Sequence, residues 1–409
     1  MARTILTGGA IFDGTGGPIA VSDVAIENGT IAAVGRGLAT RPGDETVDIA
    51  GLTLAPGFID THVHVGLSTI DYLQGVNMPF SYQFFMTEQN LKATLDVGIT
   101  TVRDASGADL GVQRAVEDGL IDGPAVLLTI IALSQTGGHG DHWLPSGNAP
   151  EILGVHPGRP SGVVDGVDEA RKRVRELIRN GANWIKVNTS GGVFSPRDDP
   201  TRQHFSDEEL TAIVAEAERL GVHVMAHAHG SAGIKAAIRA GVTSVEHGTD
   251  LDDDAIEMML ERGTWLVPTL GVGQYIVDRV DAGDAIPPEI ARKAKANGEL
   301  RADSLAKAIA AGVRIAMGSD CAATAHGTNL IEFRLMHEMG LGPLAVLHSA
   351  TGAAAELIGV ADKVGTVAPG KQADLVLIAG DPFDFGAYPG NLRAVYRRGQ
   401  RVRDYPAAG

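Results

Sequence analysis

The sequence predicts an α/β protein: a (β/α)8 barrel carrying a small β-sandwich domain built from both chain ends. Three observations point there. Eight short apolar runs alternate with helical patterns through the middle of the chain. Both ends read instead as short strands broken by glycine turns. Histidines and other metal-capable residues gather at the C-terminal ends of the apolar runs, which is where a barrel places its chemistry. The expected division is 1–55 for the first part of the β domain, 56–357 for the barrel and 358–409 for the return to the β domain.

The first 55 residues give "TILTGGAIFDG", "DVAIENGTIAAVGRG" and "TVDIAGLTLAPG", with "ENG" as a hairpin turn. Near the other end, "GTVAPGKQADLVLIAGD" and "AVYRRGQRVRD" repeat that texture, and the economical reading joins the two. Between them the apolar runs are 57–65, 99–106, 125–134, 184–191, 223–230, 244–249, 265–270 and 315–320. Amphipathic helices such as "DEARKRVRELIRNG" and "SDEELTAIVAEAERLG" separate them. The second opens on Ser206 as N-cap, with Glu209 completing a capping box, and stops at Gly221. Alternation alone also fits an open, doubly wound sheet. The count of eight and the placement of the histidines favour a closed barrel.

Composition excludes some function classes. With 409 residues, 44% of them hydrophobic, the chain can bury a large core and exceeds one small domain. A formal charge of −16 argues against nucleic acid or an anionic membrane as partner, and says little about a small ligand. The single cysteine, Cys321, rules out an intrachain disulfide and a cysteine-cluster metal site. No apolar run is long enough to span a membrane. "MARTILTGGAIFDG" lacks the basic, apolar, small-residue order of a signal peptide, so a cytoplasmic protein is expected; a cleaved signal would leave the same chain.

His62 and His64 lie two apart on a strand and so share a face, which suits two ligands to one metal. His227 and His229 also share a face, and spacing does not choose between them. His247 and Asp320 end the sixth and eighth runs. Lys186 sits inside the apolar run of "WIKVNTSGG", where an unpartnered ammonium is costly. A handful of imidazoles and one aspartate supply few anions for two dications. A neutral lysine amine can add CO2 to form a carbamate, a carboxylate able to bridge two metals. Nearby cations favour that neutral amine by lowering its pKa from about 10.4. Alternatives are an ion pair with Glu246 and a Schiff-base lysine, the latter leaving the histidines unexplained. Ser134 to Val167 is long and rich in glycine, proline and histidine, as lids and binding loops are. His139 lies early in it and is expected to steady a substrate carbonyl. His142, Trp143, Tyr275 and His326 read equally well as plain loop residues. Arg103 reads as part of an ion pair beneath the mouth, and His337 and His348 as structural.

In order along the chain, "PGFIDTHVH", the lysine strand, "AHAHG", "VEHG", "GSD" and "GKQADLVLI" resemble the amidohydrolase superfamily. "TGGHGD", "IKVNTSGGVFSPRD", "HAHGSAGIKAAIRAGVTSVEHGT" and "SDCAATAHGTNL" are similar to its imidazolonepropionase-like, prolidase-like branch, the bacterial ochratoxin A-hydrolysing members in particular. The resemblance implies two divalent metal ions, zinc being the first choice with manganese, cobalt or iron compatible. It puts His62, His64 and Asp320 on one metal, His227 and His247 on the other, and a carboxylated Lys186 between them. His229 then touches substrate. A bridging hydroxide would attack the amide, and Asp320 would carry its proton to the leaving nitrogen. The implied substrate is a small amide with a free carboxylate: an N-acyl amino acid, a dipeptide, or an ochratoxin A-type compound releasing phenylalanine. Runners-up are an Xaa-Pro or other dipeptidase and an imidazolonepropionase-like cyclic amide hydrolase, the latter disfavoured because mononuclear enzymes need no bridging lysine. A non-catalytic scaffold is disfavoured by the complete ligand set. Homo-oligomers, an octamer among them, are expected.

Overall fold

In the computed structural model, residues 3–67, 72–144, 146–149, 152–193, 195, 198–283, 288–322 and 324–406 are described. Branched and small residues at the start of the chain form β1 (Thr4–Ile11), β2 (Ala20–Glu27), β3 (Thr30–Gly35), β4 (Glu45–Asp48) and β5 (Leu52–Pro56). The apolar runs of the middle supply β6 (Phe58–Val63), β7 (Ile99–Asp104), β8 (Ala125–Leu128), β9 (Ala132–Leu133), β10 (Trp184–Asn188), β11 (His223–Ala228), β12 (Ser244–His247) and β13 (Trp265–Val267). The chain returns through β14 (Leu375–Ala379), β15 (Leu392–Arg397) and β16 (Gln400–Asp404).

The two chain ends share one eight-stranded sheet, in the order β16-β15-β14-β5-β1-β2-β3, with β4 alongside β1. The predicted hairpin turn is present: Glu27 pairs with Thr30, and Asn28 and Gly29 take φ of 52° and 79°. Positive φ at both central residues is what a two-residue turn matched to strand twist requires. The far edge returns toward the C-terminal strands, with Ile31 N donating to Lys371 O at 2.8 Å and Ala373 N to Gly29 O at 3.0 Å. Leu6, Val24, Ile26, Ile31, Leu54, Leu375, Leu377 and Tyr396 fill this region with its own apolar cluster.

The middle strands form two parallel sheets, β6-β7-β8 and β9-β10-β11-β12-β13. Seven of the eight predicted runs contain strands. The third is split into β8 and β9 at Ile130, which takes φ 72° and so leaves the extended region. The eighth is not a strand but lies between β13 and β6. Ala316 N donates to Leu266 O at 3.1 Å; Thr61 N donates to Met317 O at 3.0 Å and Asp320 N to His62 O at 2.7 Å. Its ladder is interrupted because Asp320 takes φ 55° and because the Asp60 carboxylate receives Ser319 N at 3.0 Å.

The helix Asp207–Arg219 carries the expected capping box, Ser206 Oγ accepting from Glu209 N at 3.3 Å and Glu209 Oε2 from Ser206 N at 2.7 Å. It buries Leu210, Ile213, Val214 and Ala217 in the main core. Trp184, Met225, Trp265 and Val267 meet in a separate apolar layer. Two residues further along the same strand faces come Lys186 and His227, so this layer is the floor on which the polar groups stand. Among the described residues, no helix is long and apolar enough to cross a membrane.

Candidate active site

The end of β6 brings His62 and His64 together. His62 Nδ1 lies 2.7 Å from Glu246 Oε2. Burial pushes the Glu246 carboxyl up, but the charge of Arg103 and the bond to His62 hold it down at about 2. An ionised carboxylate only accepts, so His62 carries its hydrogen on Nδ1 and its Nε2 is a lone pair. His64 Nδ1 lies 3.0 Å from Ser106 O. A carbonyl also only accepts, so Nε2 is again the lone pair. Both Nε2 atoms face Asp320 Oδ1, at 3.4 Å and 3.2 Å. Burial raises the Asp320 carboxyl, yet a proton taken up by these rings and bonded to it from Nε2 holds it well below the usual carboxylate range.

His227 reverses the pattern. Its Nε2 donates to Gly191 O at 3.3 Å, which leaves Nδ1 as acceptor, 2.8 Å from His247 Nε2. His247 Nδ1 meets Thr269 Oγ1 at 2.6 Å. Burial first, then neighbouring cationic groups, push His227 and His247 well below the ordinary histidine value, so both are neutral near pH 7. Neutral imidazoles are metal donors. His227, His229 and His247 form one close group, and His62, His247 and Asp320 another, so His247 links the two. His229 therefore stands as near to the shared space as His227, and its Nδ1 is 2.7 Å from Thr249 Oγ1. Three residues here take left-handed backbone without being glycine: His247 at φ 71°, Thr269 at 48° and Asp320 at 55°. Such conformations cost about 1 kcal/mol or more each and gather where side chains must be aimed.

Lys186 is buried at 3% exposure, with Nζ 3.5 Å from His62 Nε2. Burial pushes its ammonium down to about 8. The sequence allowed an ion pair with Glu246, but that carboxylate is taken by His62, by Arg103 Nη2 at 3.1 Å and by Ser244 Oγ at 2.5 Å. Arg103 is the structural cation expected, donating also to Thr61 O at 2.7 Å and lying 4.4 Å over the Trp184 ring.

His139 reaches the same place from its loop. Its ring stacks on His227 with centroids 4.3 Å apart, and Nδ1 lies 2.7 Å from Ser195 Oγ and 3.4 Å from Asp198 Oδ2. A Cβ on Gly192 would come within 2.1 Å of the His139 ring, so only glycine fits there. Lys293 clamps this loop from a distant helix, donating to Gly192 O at 3.2 Å, Ser195 O at 2.8 Å and Asp198 O at 2.6 Å. Phe194, Pro196 and Arg197 of the same motif lie outside the described residues.

The weaker candidates separate. His326 bonds the His64 carbonyl at 3.3 Å and supports the strand end. Burial and then His139 push His142 down to about 4, while Trp143 is half exposed. The Tyr275 hydroxyl accepts from Arg279 at 3.2 Å. His337 and His348 bond backbone carbonyls, as structural residues do. Sequence reasoning missed Ser195, Asp198 and Lys293, and it missed Asp60. Asp60 accepts from His62 N at 3.1 Å, Ser319 Oγ at 2.5 Å and Asn329 Nδ2 at 2.9 Å, tying the first strand to the segment that carries Asp320. Its place two residues before His62, on the same strand face, was the available signal.

Residues 53–402 match the amidohydrolase family profile. The ochratoxinase of Aspergillus niger is 34% identical over 401 residues, covering 93% of this chain and 82% of that one. Its solved structure has a TM-score of 0.87, covering 98% of this chain and 96% of that one. A prolidase solved with N-methylphosphonate-L-proline has a TM-score of 0.90 at 36% identity, covering 99% and 100%. A Xaa-Pro dipeptidase with methionine bound in its active site has a TM-score of 0.90 at 31% identity, covering 98% and 100%. On these grounds the chain belongs to the amidohydrolase family and is a hydrolase of amide C–N bonds.

Proposed function

We propose that this chain is a binuclear metal-dependent amidohydrolase. It cleaves the amide of N-acyl amino acids or dipeptides, ochratoxin A-type substrates included. One observation carries the reading: His62 and His64 each have Nδ1 held by a fixed acceptor, which turns Nε2 toward the space they share with His227, His247, Asp320 and buried Lys186. In this reading His62, His64 and Asp320 would hold one metal and His227 and His247 the other, with a carboxylated Lys186 as the further anionic ligand. Zinc suits that mixture of imidazole and carboxylate. Bound there, the metals supply Lewis acidity and a nucleophile available at neutral pH. Asp320, kept ionised, accepts the nucleophile's proton and passes it to the leaving nitrogen. His139, anchored through Nδ1, and His229 address the substrate carbonyl.

As scaffold we propose a (β/α)8 barrel over 56–357 with a β-sandwich from 1–55 and 358–409; the hydrogen bonds that join the eighth run to Leu266 on one side and to Thr61 and His62 on the other support the barrel. We also propose a homo-oligomer; a monomer mass by light scattering would overturn that. The likeness to prolidases favours one second reading, an Xaa-Pro dipeptidase. Turnover of N-acyl-phenylalanine and Xaa-Pro substrates, with bound metal measured per subunit, tests both. Absence of stoichiometric metal together with inactivity on every acyl amino acid would sink the proposal.

A further inference from the structure

The helix Pro288–Ala311 carries three buried polar residues four apart, Lys293, Asn297 and Arg301, and so on one face. Lys293 is accounted for by the loop it clamps. The other two are not. Asn297 Nδ2 and Arg301 Nε are buried with no hydrogen-bond partner among the described residues. Among the described residues, Arg301, 7% exposed, otherwise makes two long contacts from Nη1, 3.4 Å to Thr269 O and 3.4 Å to Leu270 O. Among the described residues it forms no ion pair. Of the two acids whose charge acts on it, Glu332 has the larger effect and spends its oxygens on the amides of Leu270 and Gly271, and Asp320 has the smaller.

Its position is at the site. Thr269, whose carbonyl Arg301 touches, holds His247 through its hydroxyl at 2.6 Å. The charge of Arg301 is, after burial, the largest cause that pushes His229 down to about 3. The helix Leu270–Asp281 makes room for the guanidinium: a Cβ on Gly273 would lie 2.4 Å from Arg301 Nη1. A buried cation without an anion is costly and is retained where an anion arrives. A guanidinium fork matches a carboxylate in bidentate fashion.

We propose that Arg301, with Asn297 one turn away, receives the carboxylate of the amino-acid half of the substrate. This rests on the functional reading above and adds what that reading lacks, the group that selects a free acid. Arg301 then fixes which end of the substrate lies near the helix and leaves the acyl side toward His139.

The test uses metal-loaded enzyme and paired substrates, an N-acyl amino acid or dipeptide and its C-terminal amide. Wild type should prefer the acid, and Arg301→Met should lower the acid-to-amide ratio of kcat/KM roughly 100-fold, chiefly through KM. Arg301→Lys should keep part of the preference, because a point charge lacks the fork. Gly273→Ala keeps the cation while crowding it, and should also erode the ratio. A readout without turnover accompanies these: L-phenylalanine or L-proline should raise the melting temperature of wild type and not of Arg301→Met. Wild type that hydrolyses acids while both Arg301 variants keep its acid-to-amide ratio overturns the Arg301 assignment. Wild type inactive on every acid and amide overturns the functional reading instead.

Discussion

Replacing Glu246 by glutamine tests how the site sets its histidines. The carboxylate is fully buried and accepts from three donors: His62 Nδ1 at 2.7 Å, Arg103 Nη2 at 3.1 Å and Ser244 Oγ at 2.5 Å. Glutamine keeps the volume but has one acceptor oxygen and brings two hydrogens of its own. If the oxygen serves His62, the amide nitrogen meets Arg103, donor against donor, and a buried cation loses its counter-ion. If it serves Arg103, the amide nitrogen meets His62 Nδ1, which must then accept, and the hydrogen moves to Nε2, where the lone pair is needed. Breaking a buried pair this way costs on the order of 3 kcal/mol. For 409 residues, at about 2.1 cal/mol/K of unfolding entropy per residue, this corresponds to a fall of roughly 3–4 °C in Tm. Removing the carboxylate behind a metal-binding histidine lowers metal affinity roughly 10- to 100-fold. Calorimetric melting and zinc titration into chelator-stripped protein give both numbers. Ser244→Ala is the control: it removes two hydrogen bonds, to Glu246 and from Arg103, together roughly 2 kcal/mol, and leaves the His62 hydrogen where it is, so zinc affinity should hold. Unchanged zinc affinity in Glu246→Gln would refute the tautomer argument even if Tm fell.

Lys186→Ala should lose metal and most activity, with partial rescue by short-chain carboxylates; an intact mass showing unmodified lysine in active, metal-loaded enzyme would contradict the carbamate. His227→Ala should strip at least one metal, whereas His229→Ala and His139→Ala should keep metal and lose about 100- to 1,000-fold in kcat. Metal loss from His229→Ala with retention in His227→Ala would reverse that pair. Burial raises the Glu332 carboxyl from 4.5 to about 8, with Asp60 adding to the rise and the amides of Gly271 and Leu270 and the charge of Arg301 opposing it. A raised folded-state value means the protonated form is favoured by folding. The stability it brings is complete below 4.5 and is lost as pH rises through 8. Melting curves should therefore show wild type losing stability relative to Glu332→Gln across that range, and parallel curves would count against it.

The outline of the site was legible because strand geometry is local. A period of two puts His62 with His64, and His227 with His229, on common faces without knowledge of any neighbour. The same locality exposed the Asn28–Gly29 hairpin and the Ser206 capping box, each set by residues within a few positions. It did less well where long-range contacts override the backbone pattern. The third run reads as one strand but breaks at Ile130, and the eighth reads as a strand but gives its ladder partner to the Asp60 side chain, 259 residues away.

What the sequence by itself determined was the kind of residue at each strand end, the order of those ends and the family to which they belong. Tertiary structure alone decided which nitrogen of each histidine is the donor. The deciding acceptors, Glu246 for His62, Ser106 O for His64 and Gly191 O for His227, come from neighbouring strands and loops. It also decided that Lys293 and Arg301, on a helix about a hundred residues beyond the lysine strand, stand beside Gly192 and Thr269 at the site. The physical reason is that a side chain's face follows from its own dihedrals. Its hydrogen-bond partner depends on which strands the fold sets side by side, and no local pattern carries that.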